Sequence, residues 1–223
     1  MTVQRKVCRL IDDFNRAQVF STTPGHNGWT IKDTSPGGSP SYECISEDEG
    51  AARLLLAATN EAEIVTLFQN DVLSYRLDHL HHLWWIAKVS GIDAATTLAL
   101  GLASAQNDTL DSVATNAWFR IEGSDSTENI VVETDDGTTD DDDNASGLTL
   151  GSEYKKLMLD FTDGLSKVRF HVDGEVVDTL NMGSLAAGAR CQPFVQLQKA
   201  SGTGTPSVTI AQFGVQYETA YGV

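Results

Sequence analysis

Along most of the chain, apolar and polar residues alternate one by one in short runs rich in β-branched and aromatic side chains. Successive side chains of a strand point to opposite faces of its sheet, so a period of two marks strands with one buried face. The pattern predicts strands over 28–33, 41–46, 52–58, 62–69, 83–90, 96–104, 117–123, 129–134, 153–162, 166–174, 175–181, 192–200 and 207–218. Clusters of Gly, Asn, Asp, Ser and Pro separate them. In 166-SKVRFHVDGEVVDTL-180, Val168, Phe170 and Val172 alternate against Lys167, Arg169 and His171, and Asp173-Gly174 supplies the hairpin turn. Helical periodicity is weak and confined to 7–17 and 48–56. Thirteen strands spaced about a dozen residues apart predict an all-β, two-sheet antiparallel sandwich or jelly roll. No repeat and no long linker divides the 223 residues, so 1–223 reads as a single domain.

Charge changes the picture locally. The formal net charge is −16, from 15 basic and 31 acidic residues. Between Lys88 and Lys155 stand fourteen acidic residues and one basic one, Arg120, a net of −13. Such a surface repels phosphate backbones, which argues against a nucleic-acid partner. No apolar run is long enough to cross a bilayer as a helix, which argues against a membrane partner. The start, 1-MTVQRKVCRLIDDFNR-16, lacks the uninterrupted apolar stretch of a secretion signal, so synthesis and folding in a cytoplasm are expected. Residues 1–20 carry Arg5, Lys6 and Arg9 and form a candidate contact arm for an acidic partner; an ordinary solvated terminus is the alternative. Cys8, Cys44 and Cys191 have no paired spacing and read as free thiols.

The densest aromatic stretch is 78-DHLHHLWWIAKVSG-91. In a strand, His79 and His81 share a face and can chelate zinc or copper, but the sequence names no third ligand; the other reading is a polar strand entry. Trp84 and Trp85 are adjacent, so one faces the core and the other faces outward, either as a platform for a sugar or partner or beneath a covering layer.

The acidic run 133-ETDDGTTDDDDNASG-147 holds seven carboxylates between Glu133 and Asp143. Mutual repulsion predicts a solvated loop. The alternative is a hard-cation site for Ca²⁺ built from Glu133, Asp135, Asp140, Asp141, Asp142 and Asp143, because calcium takes six to eight oxygens. Glu133-x-Asp135 resembles the first two metal ligands of legume-type lectins; that pattern's Asn is Thr139 here, and its downstream His is absent. Catalytic motifs are missing: no GxSxG, HExxH or phosphate-cradling loop occurs. The ExDxxE of sandwich-fold glucanases is approached only by 133-ETDDGT-138, which lacks the final Glu. No enzyme and no required cofactor are expected; a degenerate glycoside hydrolase would need two carboxylates facing a cleft.

The order of 11-IDDFN-15, 83-LWWIAKVSG-91, 96-TTLALGLAS-104, 117-AWFRIEG-123, 154-YKKLMLDFTDGLSKVRFHVDGEVV-177, 193-PFVQLQKAS-201 and 207-SVTIAQFGVQY-217 resembles the concanavalin-A-like, laminin-G-type jelly roll. The form it resembles is the one used in virion proteins of tailed bacteriophages. The resemblance implies two curved antiparallel sheets and a capsid decoration or cement protein on the outside of the head, or a fibre component. Its partners would be the major capsid protein and further copies of itself, with a trimer expected from three-fold capsid positions. The other expectation is a carbohydrate-binding module that uses Trp84 or Trp85 on surface glycans.

Overall fold

The computed structural model describes residues 3–15, 20–47, 50–124 and 128–222. Among them run β1 (Val3–Asp12), β2 (Thr30–Asp33), β3 (Ser41–Ile45), β4 (Ala51–Leu55), β5 (Glu63–Phe68) and β6 (Tyr75–Arg76). Next come β7 (Leu80–Ser90), β8 (Thr96–Ala103), β9 (Asn116–Glu122), β10 (Asn129–Asp135) and β11 (Asp140–Thr149). The last are β12 (Lys155–Asp160), β13 (Val168–Val172), β14 (Glu175–Leu180), β15 (Arg190–Lys199) and β16 (Ser207–Gly222). Helical structure among the described residues is limited to single 3₁₀ turns.

The strands pair antiparallel into two stacked sheets. One, the β7 sheet, has the order β14-β13-β12-β7-β16-β4-β3. Its long strand β16 pairs with β4 through Ser207–Ile210 and with β1 through Phe213–Gly222. The other, the β9 sheet, has the order β11-β10-β9-β8-β15-β5-β2, with β6 also beside β15. The predicted all-β, two-sheet sandwich is therefore the observed fold.

Alternation builds the core. Leu83, Trp85, Leu157, Phe170 and Phe213 project inward from one sheet, and Leu98, Leu100, Phe119, Val132 and Val195 from the other, all buried. Phe119 meets Phe170 edge-on across the layers, ring centres 5.3 Å apart. Trp85 packs on Phe213 at 4.7 Å and on Trp29 at 5.9 Å. Buried Asp12 fixes this cluster: its carboxylate accepts from Trp29 Nε1 at 2.8 Å, Asn27 Nδ2 at 2.8 Å and the Phe14 amide at 3.0 Å. The Asp173-Gly174 turn has φ of 51° and 92°, the left-handed pair that a two-residue hairpin demands.

Four expectations change. The weak helix over 7–17 is strand β1 through Asp12, and that over 48–56 is strand β4; residues 16–19 and 48–49 lie outside the described residues. Pairing with β16 from both ends outweighs a weak helical period. Residues 3–12 of the candidate contact arm are thus an edge strand of the sheet. The acidic run is not a loop throughout, since Asp140–Thr149 pairs with β10 as edge strand β11, its register broken twice. An edge strand keeps much of its side-chain surface in water, and charge there discourages pairing with another sheet. Finally, β7 begins at Leu80, and His79 closes a 3₁₀ turn, so His79 and His81 are not strand neighbours.

Trp85→Ala should lower unfolding stability by about 3–5 kcal/mol, as expected for emptying a fully buried indole site. Denaturant titration checks it, and a loss below roughly 1 kcal/mol would contradict the packing described.

Candidate functional site

Ligands can meet the sandwich on the outer face of either sheet. On the β9 sheet, Phe68, Ala99, Ala103, Trp118 and Phe194 make an outward apolar patch, with Trp118 stacked on Phe194 at 5.7 Å. Leu110 and Val113 of the 104–115 loop close over it. The loop is pinned from below: Gln196 Nε2 donates to the Asp108 carbonyl at 3.1 Å, Gln192 Nε2 to the Ser104 carbonyl at 2.9 Å, and Lys32 meets Asp108 at 3.0 Å. The centre of this face is covered.

Beside the loop, Arg120 gathers the acidic region. Its guanidinium reaches Glu133 at 3.0 Å and Asp111 at 3.2 Å and pairs with Glu122. Burial pushes both Glu122 and Glu133 above the ordinary carboxylate range; Arg120 opposes the shift at each, joined at Glu133 by the Trp118 indole. Asp142 is raised by burial and by its neighbour Asp140. Oxygens of Glu133, Asp140 and Asp142 lie within 4.8 Å of one another. Calcium does not fit this trio as built, because Asn116 Nδ2 already holds Glu133 Oε1 at 3.2 Å and Arg120 holds Oε2. The other proposed ligands stand elsewhere: Asp135 accepts from the Gly137 amide at 2.6 Å, Asp141 pairs in register with Thr134, and Asp143 lines a pocket of about 240 Å³ with Glu122 and Val131.

The outer face of the β7 sheet carries the other candidate. Trp84 and Trp85 divide as alternation requires, Trp85 inward and Trp84 outward. Trp84 lies over Gly214 of β16, where an added Cβ would overlap Cζ2 and Cε2 of the indole. Its Nε1 donates to Gln212 Oε1 at 2.7 Å, and Gln212 Nε2 donates to Asp13 at 2.7 Å. Arg9 and Lys156 both lie against the ring, 5.0 and 5.2 Å from its centre. These two caps leave Trp84 only 4% exposed, so the outward tryptophan is a covered ring rather than a bare platform. Around it Arg9, His82, Lys156, Met158 and Gln216 line a cavity of about 260 Å³.

The histidines face different partners. His81 Nε2 lies 3.2 Å from Glu218, and His82 shares a hydrogen bond with Gln216 at 3.2 Å while standing 3.7 Å from Asp160. His79 stands in the 3₁₀ turn and His81 on β7, and among the described residues no third ligand gathers with them, which favours the polar strand entry over the chelating pair. Of the basic residues near the start, Arg9 reaches the Trp84 site, Lys6 is exposed on β1, and Arg5 pairs through its backbone with Ala220. Cys8, Cys44 and Cys191 form no disulfide among the described residues, and burial pushes the Cys191 thiol up to about 12. Gln212, Gly214, Gln216 and Lys156 escaped sequence reasoning. The one available signal was Gly214 itself, a glycine inside an aromatic strand.

Several solved structures share the fold. The carbohydrate recognition domain of Emp46p, in its potassium-bound form, matches with a TM-score of 0.56 and 12% identity over 86% of this chain and 88% of that one. SO2946 from Shewanella oneidensis MR-1, a protein of unknown function, matches at 0.63 and 12% over 100% and 92%. A family 16 endo-glucanase from Bacteroides ovatus matches at 0.63 and 10% over 95% and 99%. No family model and no curated sequence matches the chain. Identities this low establish the architecture alone, a concanavalin-A-like jelly roll.

A folded Glu122 with a raised value holds its proton to higher pH than the unfolded chain does. Between those two values the native state binds more protons, and this residue makes stability fall as pH rises. Relative to the parent, Glu122→Gln should therefore gain stability as pH climbs from the ordinary carboxylate range and level off above the raised value. Denaturation midpoints across pH check it; a pH-independent difference would contradict the assignment.

Proposed function

We propose that the protein is a non-catalytic glycan-binding module whose ligand rests on Trp84. The observation that carries this is the indole fixed on an outer sheet face by Gln212 and Gly214. Sugar rings pack their C–H faces on such rings, while neighbouring amides satisfy the hydroxyls. Gln216 and His82 stand beside the ring as such polar groups. The shared architecture with a carbohydrate recognition domain and a glucanase supports the reading. The non-catalytic reading is supported on the other face, where Glu133 is 2% exposed and tied to Arg120 and loop 104–115 covers the Trp118 patch.

A second reading is a structural component of a tailed-phage particle on the capsid exterior, contacting the major capsid protein and copies of itself. The motif order supports it, as does edge strand β1, whose Val7 and Ile11 are 48% and 40% exposed. Co-sedimentation with phage heads separates it from the first.

A glycan array run with and without chelator should detect ligands in both conditions, since the acidic trio does not fit a calcium ion. Trp84→Ala and Gly214→Ala should each weaken binding at least tenfold, the first by removing the ring and the second by displacing it. No binding in either condition removes the glycan reading.

A further inference from the structure

We infer that the Trp84 site selects an acidic glycan, one whose sugar ring carries a carboxylate or sulfate that Arg9 and Lys156 bind. The inference rests on the glycan-binding reading and adds the ligand's charge.

The first ground is the composition of the cavity. Arg9, His82, Lys156, Met158, Trp84 and Gln216 line it, and no carboxylate does, in a chain with 31 acidic residues and 15 basic ones. The carboxylates nearby are already engaged. Asp160 accepts from Thr162 at 2.8 and 2.6 Å and from Arg169 at 3.0 Å, and Asp13 accepts from Gln212. Glu218 is turned to His81.

The second ground is the state of the two cations. Lys32, Arg53, Arg76, Lys88, Arg120, Lys155, Arg169 and Lys199 all pair with carboxylates. Arg9 and Lys156, like Lys6, Lys167 and Arg190, have no carboxylate partner among the described residues, and of these five they are the two that converge on one aromatic ring. Cation–π contacts at exposed positions are weak, so an anion that offers charge-assisted hydrogen bonds displaces them readily. The two long side chains are exposed, and they approach the ring from different strands, Arg9 on β1 and Lys156 on β12. When they swing onto an anionic substituent they uncover the indole, and the same movement opens the stacking surface for the sugar ring. A neutral sugar offers the two cations nothing in exchange for the ring.

The test is calorimetric titration of the full chain with four probes: a galacturonate tetrasaccharide, a galactose tetrasaccharide, a heparin-derived tetrasaccharide and inorganic sulfate. The acidic sugars should bind at least tenfold more tightly than the neutral one, and the advantage should shrink with added salt. The carboxylate and sulfate arms tell which anion is preferred. Arg9→Gln and Lys156→Gln alter exposed side chains, and each should remove roughly tenfold of the acidic advantage by weakening the acidic sugars, while the neutral sugar binds no more weakly than before because its ring loses part of the cap. Equal binding of acidic and neutral sugars overturns the inference and leaves the glycan reading standing. Binding of no sugar overturns both. Acidic preference that survives both glutamine variants, or inorganic sulfate binding as tightly as the sugars, also overturns it.

Discussion

The pairing of β7 with β16 is the contact on which the rest depends. At one register position Trp85 faces Phe213, and at the next Trp84 faces Gly214. On the inner side, Trp85 and Phe213 join Trp29 in the aromatic centre of the core. On the outer side, Gly214 leaves room for the Trp84 ring. One strand pair thus supplies both the packing that closes the sandwich and the surface feature offered to a ligand. Its terminal partner β1 lies beside β16, which brings Arg9 into register with Gln216 and within reach of the indole.

The sites on the two outer faces have opposite electrostatic character. On the β9 sheet a single guanidinium holds Asp111, Glu122 and Glu133, with the acidic strand β11 along its edge. On the β7 sheet the cavity around Trp84 holds cations without carboxylates. The separation orients approach: an anionic ligand is repelled from the β11 edge and drawn to the opposite layer.

Much of the architecture was legible because burial on one face enforces a period of two, and all thirteen strands read from that period are present. The missing ones share a cause, since their periodicity is masked. In β11, carboxylates occupy inward- and outward-facing positions alike; β6 spans two residues; and β1 mixes Val7, Arg9 and Ile11 on its exposed side. The opposed directions of Trp84 and Trp85 follow from adjacency alone. What covers Trp84 does not, because Arg9 and Lys156 reach it from distant segments that only strand order brings together. Arg120 stood out as the lone base in an acidic stretch, but its partners on β9 and β10 emerge only from the sheet register.

The most direct measurement of the central claim follows the indole N–H resonances of the four tryptophans, with Trp84 assigned through Trp84→Phe, during addition of the array's best ligand. The Trp84 signal should move with ligand while those of buried Trp29, Trp85 and Trp118 stay in place. Movement of the Trp118 signal with a stationary Trp84 would place binding on the opposite sheet and contradict it.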